Sequence, residues 1–228
     1  MGTAQIDHFE IVRDGRTFAA GDQNWFPKAY LRKCGCGLTA AADLLLYLRA
    51  PDCQTGIFRG IPPGRCIPPE VYDRYAEAFR RRFPPVLPPF GMNAAALWLG
   101  VNGCFWAYRL PYRARWGVRP TRLWSEIERM LRQGVPVILC IGPNFPLFWQ
   151  KHKLTLYVRD GEQVRPAART AAHFVTVTGI GPEWLRIVSW GKVYYIRKTE
   201  YIRYVKEHSN FLLCNILHVH KKAKRPPS

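Results

Sequence analysis

Acidic side chains are scarce in this chain beside basic ones. Its 228 residues hold 16 Asp and Glu against 34 Lys and Arg, a formal charge of +18. Such an imbalance draws polyanions, whether nucleic acid, an acidic protein or anionic lipid. The basic residues are spread thinly, as at Arg80-Arg81-Arg82, Arg109, Arg113, Arg115 and Arg119. An acidic partner is therefore left open, and nucleic acid is the less favoured one. Long hydrophobic runs are missing as well. No stretch approaches the roughly 18 apolar residues of a membrane span, so no transmembrane segment is expected. Residues 1–16 contain no apolar core of a secretory leader, and the expected compartment is the cytoplasm. Paired cysteine spacings are absent too. Cys34, Cys36, Cys53, Cys66, Cys104, Cys140 and Cys214 are odd in number and scattered, which reads as reduced thiols and not a disulfide framework. One residue separates Cys34 from Cys36 and no second pair answers them, which argues against a zinc knuckle. Neither a metal nor a cofactor is expected, and no internal repeat occurs.

What is present suits a packed domain. A hydrophobic content of 48% with 14% aromatics excludes a disordered chain. Residues 1–220 are expected to form one domain, with 221–228 as a basic tail. Residues 37–49 are interrupted only by Thr39, Asp43 and Arg49, the pattern of a buried helix that Pro51 closes. Pro62-Pro63 with Pro68-Pro69, and Pro84-Pro85 with Pro88-Pro89, read as rigid connectors around a helix over 70–82. That helix would turn Val71, Tyr75, Ala78 and Phe79 inward. Short helices are expected over 93–99, 125–132 and 199–207. Strands are expected over 135–141, 154–158, 173–180, 184–190, 193–197 and 211–219, the third and fourth joined by the turn Gly179-Ile180-Gly181-Pro182-Glu183. Helices first and strands later imply an α+β fold: a helical N-terminal half, with a buried central helix, packed on a mainly antiparallel C-terminal sheet.

Two segments carry chemistry. Cys36 stands between Gly35 and Gly37 where a long apolar helix begins, and unpaired N–H groups at a helix start favour a thiolate. His173 heads the alternating strand 173–180, where a rigid backbone would fix an imidazole. A thiol and an imidazole so placed are a nucleophile and its base. Cys34 is a rival nucleophile two residues further from the helix. Cys53, Cys66, Cys104, Cys140 and Cys214 read as packing residues, and His8, His152, His208, His218 and His220 as solvated. Gln23 is the candidate oxyanion donor, with Asn24 as a polar rival and Trp25-Phe26 to pin the loop.

The order Gln23, Cys36-Gly37, Gln133-Gly134-Val135-Pro136-Val137, His173 to Gly179 and Val188-Ser189-Trp190-Gly191 resembles the papain-like cysteine peptidases. Within that superfamily it is particularly similar to the bacterial peptidases that process bacteriocin leaders. The resemblance spans residues 22–197 and implies a papain-like fold, a peptide or protein substrate, and a third residue that orients His173. Where that family has Asn or Asp, Ser189 stands here, and an alternative alignment puts Val188 there and leaves a dyad. A cysteine hydrolase of a peptide or amide bond is the first expectation, with acyl transfer open to the same site. A catalytically degenerate module binding an acidic protein or nucleic acid is the second.

Overall fold

The structure is a computed structural model that describes residues 3–50, 53–83, 86 and 91–222. Pro51, the second proline cluster and tail residues 223–228 lie outside them. The chain opens on strands, not helices: β1 (Ala4–Gln5), β2 (Glu10–Arg13) and β3 (Arg16–Phe18). After a 3-10 turn, Gln23–Trp25, come α1 (Ala29–Cys34) and α2 (Cys36–Leu48), then β4 (Cys66–Ile67), α3 (Pro69–Arg82) and α4 (Ala94–Ala107). The second half contains β5 (Tyr112–Trp116), α5 (Leu123–Arg132), β6 (Val137–Ile141), β7 (Leu154–Asp160), β8 (Gln163–Thr170) and β9 (His173–Ile180). It ends with β10 (Trp184–Ser189), β11 (Lys192–Arg197), α6 (Lys198–His208) and β12 (Ile216–Lys221). The class is α+β, with one large antiparallel sheet ordered β5-β12-β6-β9-β10-β11-β7-β8. β1 adds to β9, and β2, β3 and β4 make a separate small sheet. Among the described residues no helix is long and apolar enough to cross a membrane.

β9 is the spine of the molecule. All eight of its residues are buried, as are all five of its neighbour β6. A strand covered on both faces buries both sets of its alternating side chains, so Thr176 and Thr178 of β9 are as buried as Val175 and Val177. α2 and α5 both pack on it. In α2 only Cys36 and Tyr47 are not fully buried, which is why its sequence lacks a polar face. Gly35 ends α1 and starts α2 at once: its N–H closes on the Leu31 carbonyl at 2.7 Å, and its carbonyl accepts from Thr39 N–H at 2.9 Å. Gly37 lets the helix start approach the sheet. A Cβ there would meet Phe174 Cδ2 at 3.1 Å and Met92 Sδ at 3.2 Å.

Several elements differ from the sequence expectation, each for a physical reason. α4 does not stop at Leu99 but runs through Gly100 and Gly103, because buried Leu97, Val101, Cys104 and Phe105 outweigh the weak propensity of glycine. α3 buries Tyr72, Tyr75, Ala76 and Phe79, and leaves Val71 and Ala78 half-buried. The tyrosines turn inward because each hydroxyl has an acceptor there, Asp43 Oδ1 for Tyr72 and the Ala42 carbonyl for Tyr75, both at 2.8 Å. The last strand starts at Ile216 and not at 211, since Asn210 Oδ1 accepts the N–H groups of Leu212 and Leu213 and makes a turn. β8 is an edge strand containing Pro166, Arg165 and Arg169, and its mostly exposed pattern gives no apolar signal.

Candidate active site

Cys36 occupies the first position of α2, as expected, while Cys34 is the last residue of α1. The two cysteines thus sit at opposite poles of two helix dipoles, and only Cys36 has the pole that favours a thiolate. Its resting state nevertheless departs from the expectation of a lowered pKa. Burial pushes the Cys36 thiol up, and the amide N–H groups of Phe174, Gly37 and Cys36 itself only partly offset this. The Phe174 amide is free for that role because of sheet geometry. Cys140, opposite Phe174 on β6, spends its own N–H on Asn215. The antiparallel pattern then directs the Phe174 N–H away from β6.

His173 is buried at the head of β9, and its Nε2 lies 2.7 Å from Ser189 Oγ on β10. This brings together Ser189, and not Val188, with the histidine. Val188 packs with Ala19 and Ala20 in a small apolar cluster. Burial alone holds the imidazole down to about 4, so it is neutral at physiological pH. Trp190 covers the ring, with centroids 4.4 Å apart and planes inclined by 21°. Two non-glycine residues with positive φ bracket the pair, Ala172 at 50° before His173 and Trp190 at 49° after Ser189. Backbone strain of this kind persists only where the surroundings impose it, and it concentrates at functional sites.

Gln23 is buried in the 3-10 turn, and its Nε2 donates to the Arg32 carbonyl at 2.6 Å, leaving a second amide hydrogen. Asn24 is exposed and bonds Asp22, so it does not compete. Gln23, Cys36 and Ser189 line one small cavity with Gly21, Thr39, Ala40, Asp43, Phe174, Thr176, Val188 and Trp190, with about 10 Å³ of room, enough for a single water. Sequence reasoning gave no role to Asp43, Thr176 or Trp190. Asp43 lies about two helical turns beyond Cys36 on the same face of α2. Burial raises its carboxyl to about 7, against the pull of the Tyr72 hydroxyl and the Gly21 N–H, 2.8 and 3.2 Å from Oδ1. The Thr176 hydroxyl is buried in the cavity wall with no protein partner. A lone acid in an apolar helix was the available signal for Asp43.

The remaining thiols and imidazoles need two corrections. Cys104, Cys140 and Cys214 are buried and Cys53 is half-buried, but Cys66 is exposed and does not pack. His218 is buried, not solvated, because β12 turns it toward Glu126 of α5. No protein-family model matches this chain, and no curated protein matches it.

Proposed function

We propose that the chain is a papain-like cysteine hydrolase that cleaves a peptide or amide bond at Cys36. The observation that carries the reading is the convergence of Cys36, at the start of α2, with Gln23 and Ser189 on one cavity, Ser189 being hydrogen-bonded to His173. With its hydrogen on Nε2, His173 donates to Ser189 Oγ, and Nδ1 keeps the lone pair needed of a base. With a neutral ring and a protonated thiol, the resting site is not an ion pair. Substrate binding and proton transfer occur together: Nδ1 takes the thiol proton as sulfur bonds the carbonyl carbon. The free N–H of Gln23 and the Cys36 amide are the candidate donors to the oxyanion. As the C–N bond breaks, the proton passes from His173 to the leaving amine. Water then cleaves the thioester, or an amine or thiol takes the acyl group instead.

The seven cysteines are all free thiols, which suits a reducing compartment such as the cytoplasm. A peptide or protein substrate follows from the reaction class. Two observations favour the second reading, a non-catalytic module that binds an acidic protein or nucleic acid: the orienting residue is an uncharged serine, and the thiol is pushed up by burial. A peptide-like electrophile, such as a vinyl sulfone library, separates the two. Covalent capture at Cys36 that disappears in His173→Ala is the expected result. Capture spread evenly over Cys34, Cys36 and Cys66, joined to a salt-dependent affinity for polyanions, would establish the binding module instead.

A further inference from the structure

A second cluster of chemically capable side chains lies on the other side of β6 from β9. His218 and His220 alternate along β12, so both project from the same sheet face. α5 packs on that face and contributes Glu126. His218 Nδ1 is 2.9 Å from Glu126 Oε1 and 2.9 Å from His220 Nε2, and His220 Nε2 is 3.9 Å from the same carboxylate oxygen. These three atoms lie mutually within 4.8 Å, each able to offer one lone pair.

No set of linear hydrogen bonds satisfies both short contacts of His218 Nδ1. If His218 Nδ1 carries hydrogen, that one atom must serve both Glu126 and His220. If His220 Nε2 carries it instead, His218 Nδ1 and the carboxylate face each other lone pair to lone pair. With hydrogen on both nitrogens, two donors meet. A single cation at the centre would be met by all three lone pairs. In a tetrahedral zinc site, with bonds of about 2.0–2.1 Å, ligand atoms stand about 3.3–3.4 Å apart, and the observed 2.9–3.9 Å brackets that spacing. We propose that His218, His220 and Glu126 form a binding site for a divalent transition metal of the zinc class. Three protein ligands leave a fourth position for water or an external ligand.

The surroundings fix how strong the site is. Arg129 holds the carboxylate by both oxygens, Nη2 to Oε1 at 2.6 Å and Nε to Oε2 at 3.0 Å. That fork orients Glu126 but sets a positive charge beside the cation, and it also approaches His220 Nδ1 at 3.4 Å. Arg115, paired with His218 across the strands, adds to the positive field. His220 is the more exposed ring, at 34% of its side-chain surface, and gives the metal its way in.

Calorimetric titration of chelator-treated protein with zinc chloride tests the proposal. The wild type should bind one equivalent that His220→Ala and Glu126→Gln each weaken at least ~10-fold. Cobalt(II) should give visible bands of a nitrogen and oxygen site without a thiolate charge-transfer band in the near ultraviolet. Should the variants misfold, zinc should slow diethylpyrocarbonate modification of His220 in the wild type, leaving His8 and His152 unaffected. Unchanged affinity in His220→Ala, metal held only by thiolates, no binding, or no protection of His220 would each overturn the site.

Discussion

Cys36 and His173 both rest uncharged, and under the proposed mechanism that state makes predictions for single residues. Because burial holds His173 at about 4, the acid limb of kcat/KM should fall near pH 4 and not near the ~6.5 of a solvated imidazole. Rates of the best substrate or electrophile from pH 3 to 9 would test this, and a limb at 6.5 would mean that the ring is wetter than its burial implies. Cys36→Ala and His173→Ala should abolish turnover. Ser189→Ala removes one neutral hydrogen bond and should cost about tenfold, close to the ~1.5 kcal/mol such a bond contributes. Ser189→Asp supplies a charge that stabilises imidazolium, so it should raise the rate and move the acid limb upward. If Ser189→Ala were as inactive as Cys36→Ala, the serine would be doing more than orienting the ring.

The elements differ in how much damage they pass to the site. Leu44→Ala, in the middle of α2, removes a fully buried side chain and should cost ~3 kcal/mol of stability while leaving the start of the helix in place. Gly37→Ala adds one methyl group against Phe174 and Met92, pushing the helix start off β9. Its loss of activity should exceed its loss of stability, and denaturant melts beside rate measurements would reveal the reverse if the contact were slack. Legibility in the sequence also varied by element. α2, α5, β9 and β10 were readable because burial covers long, regular stretches of them, and their catalytic candidates came with them. β1, β2 and β5 were missed because two to five residues carry too little periodicity, and β8 because arginines and a proline fill an exposed edge. Asp43 appeared only as an interruption in α2. Its partner Tyr72 lies on another helix, and no spacing along one chain discloses that pairing.

For the whole molecule, two buried groups give opposite slopes of stability against pH. His173 is held below its unfolded value, so its contribution is complete above about 6.5 and is lost as pH falls toward 4. Asp43 is held above its unfolded value, so its contribution is complete below about 4 and is lost as pH rises through 7. Asp43→Asn keeps both hydrogen bonds to Oδ1 and removes the titration. The wild type should therefore lose stability relative to Asp43→Asn as pH rises from 4 to 7, by up to ~4 kcal/mol, and then run parallel to it. Urea melts at a series of pH values measure the difference, and a constant offset would show that Asp43 stays ionised.

The pairing of Ala4 with Ile180 and Gln5 with Gly179 has a consequence for how the protein is made. Ala4 and Gln5 leave the ribosome long before Gly179 and Ile180, the residues they pair with, and α2 waits for the same strand. Until then the apolar surface of α2 is open to chaperones and to neighbouring nascent chains. Translation stalled before residue 173 should leave an emerged chain that proteases digest freely, and release past residue 180 should be the point at which resistance appears.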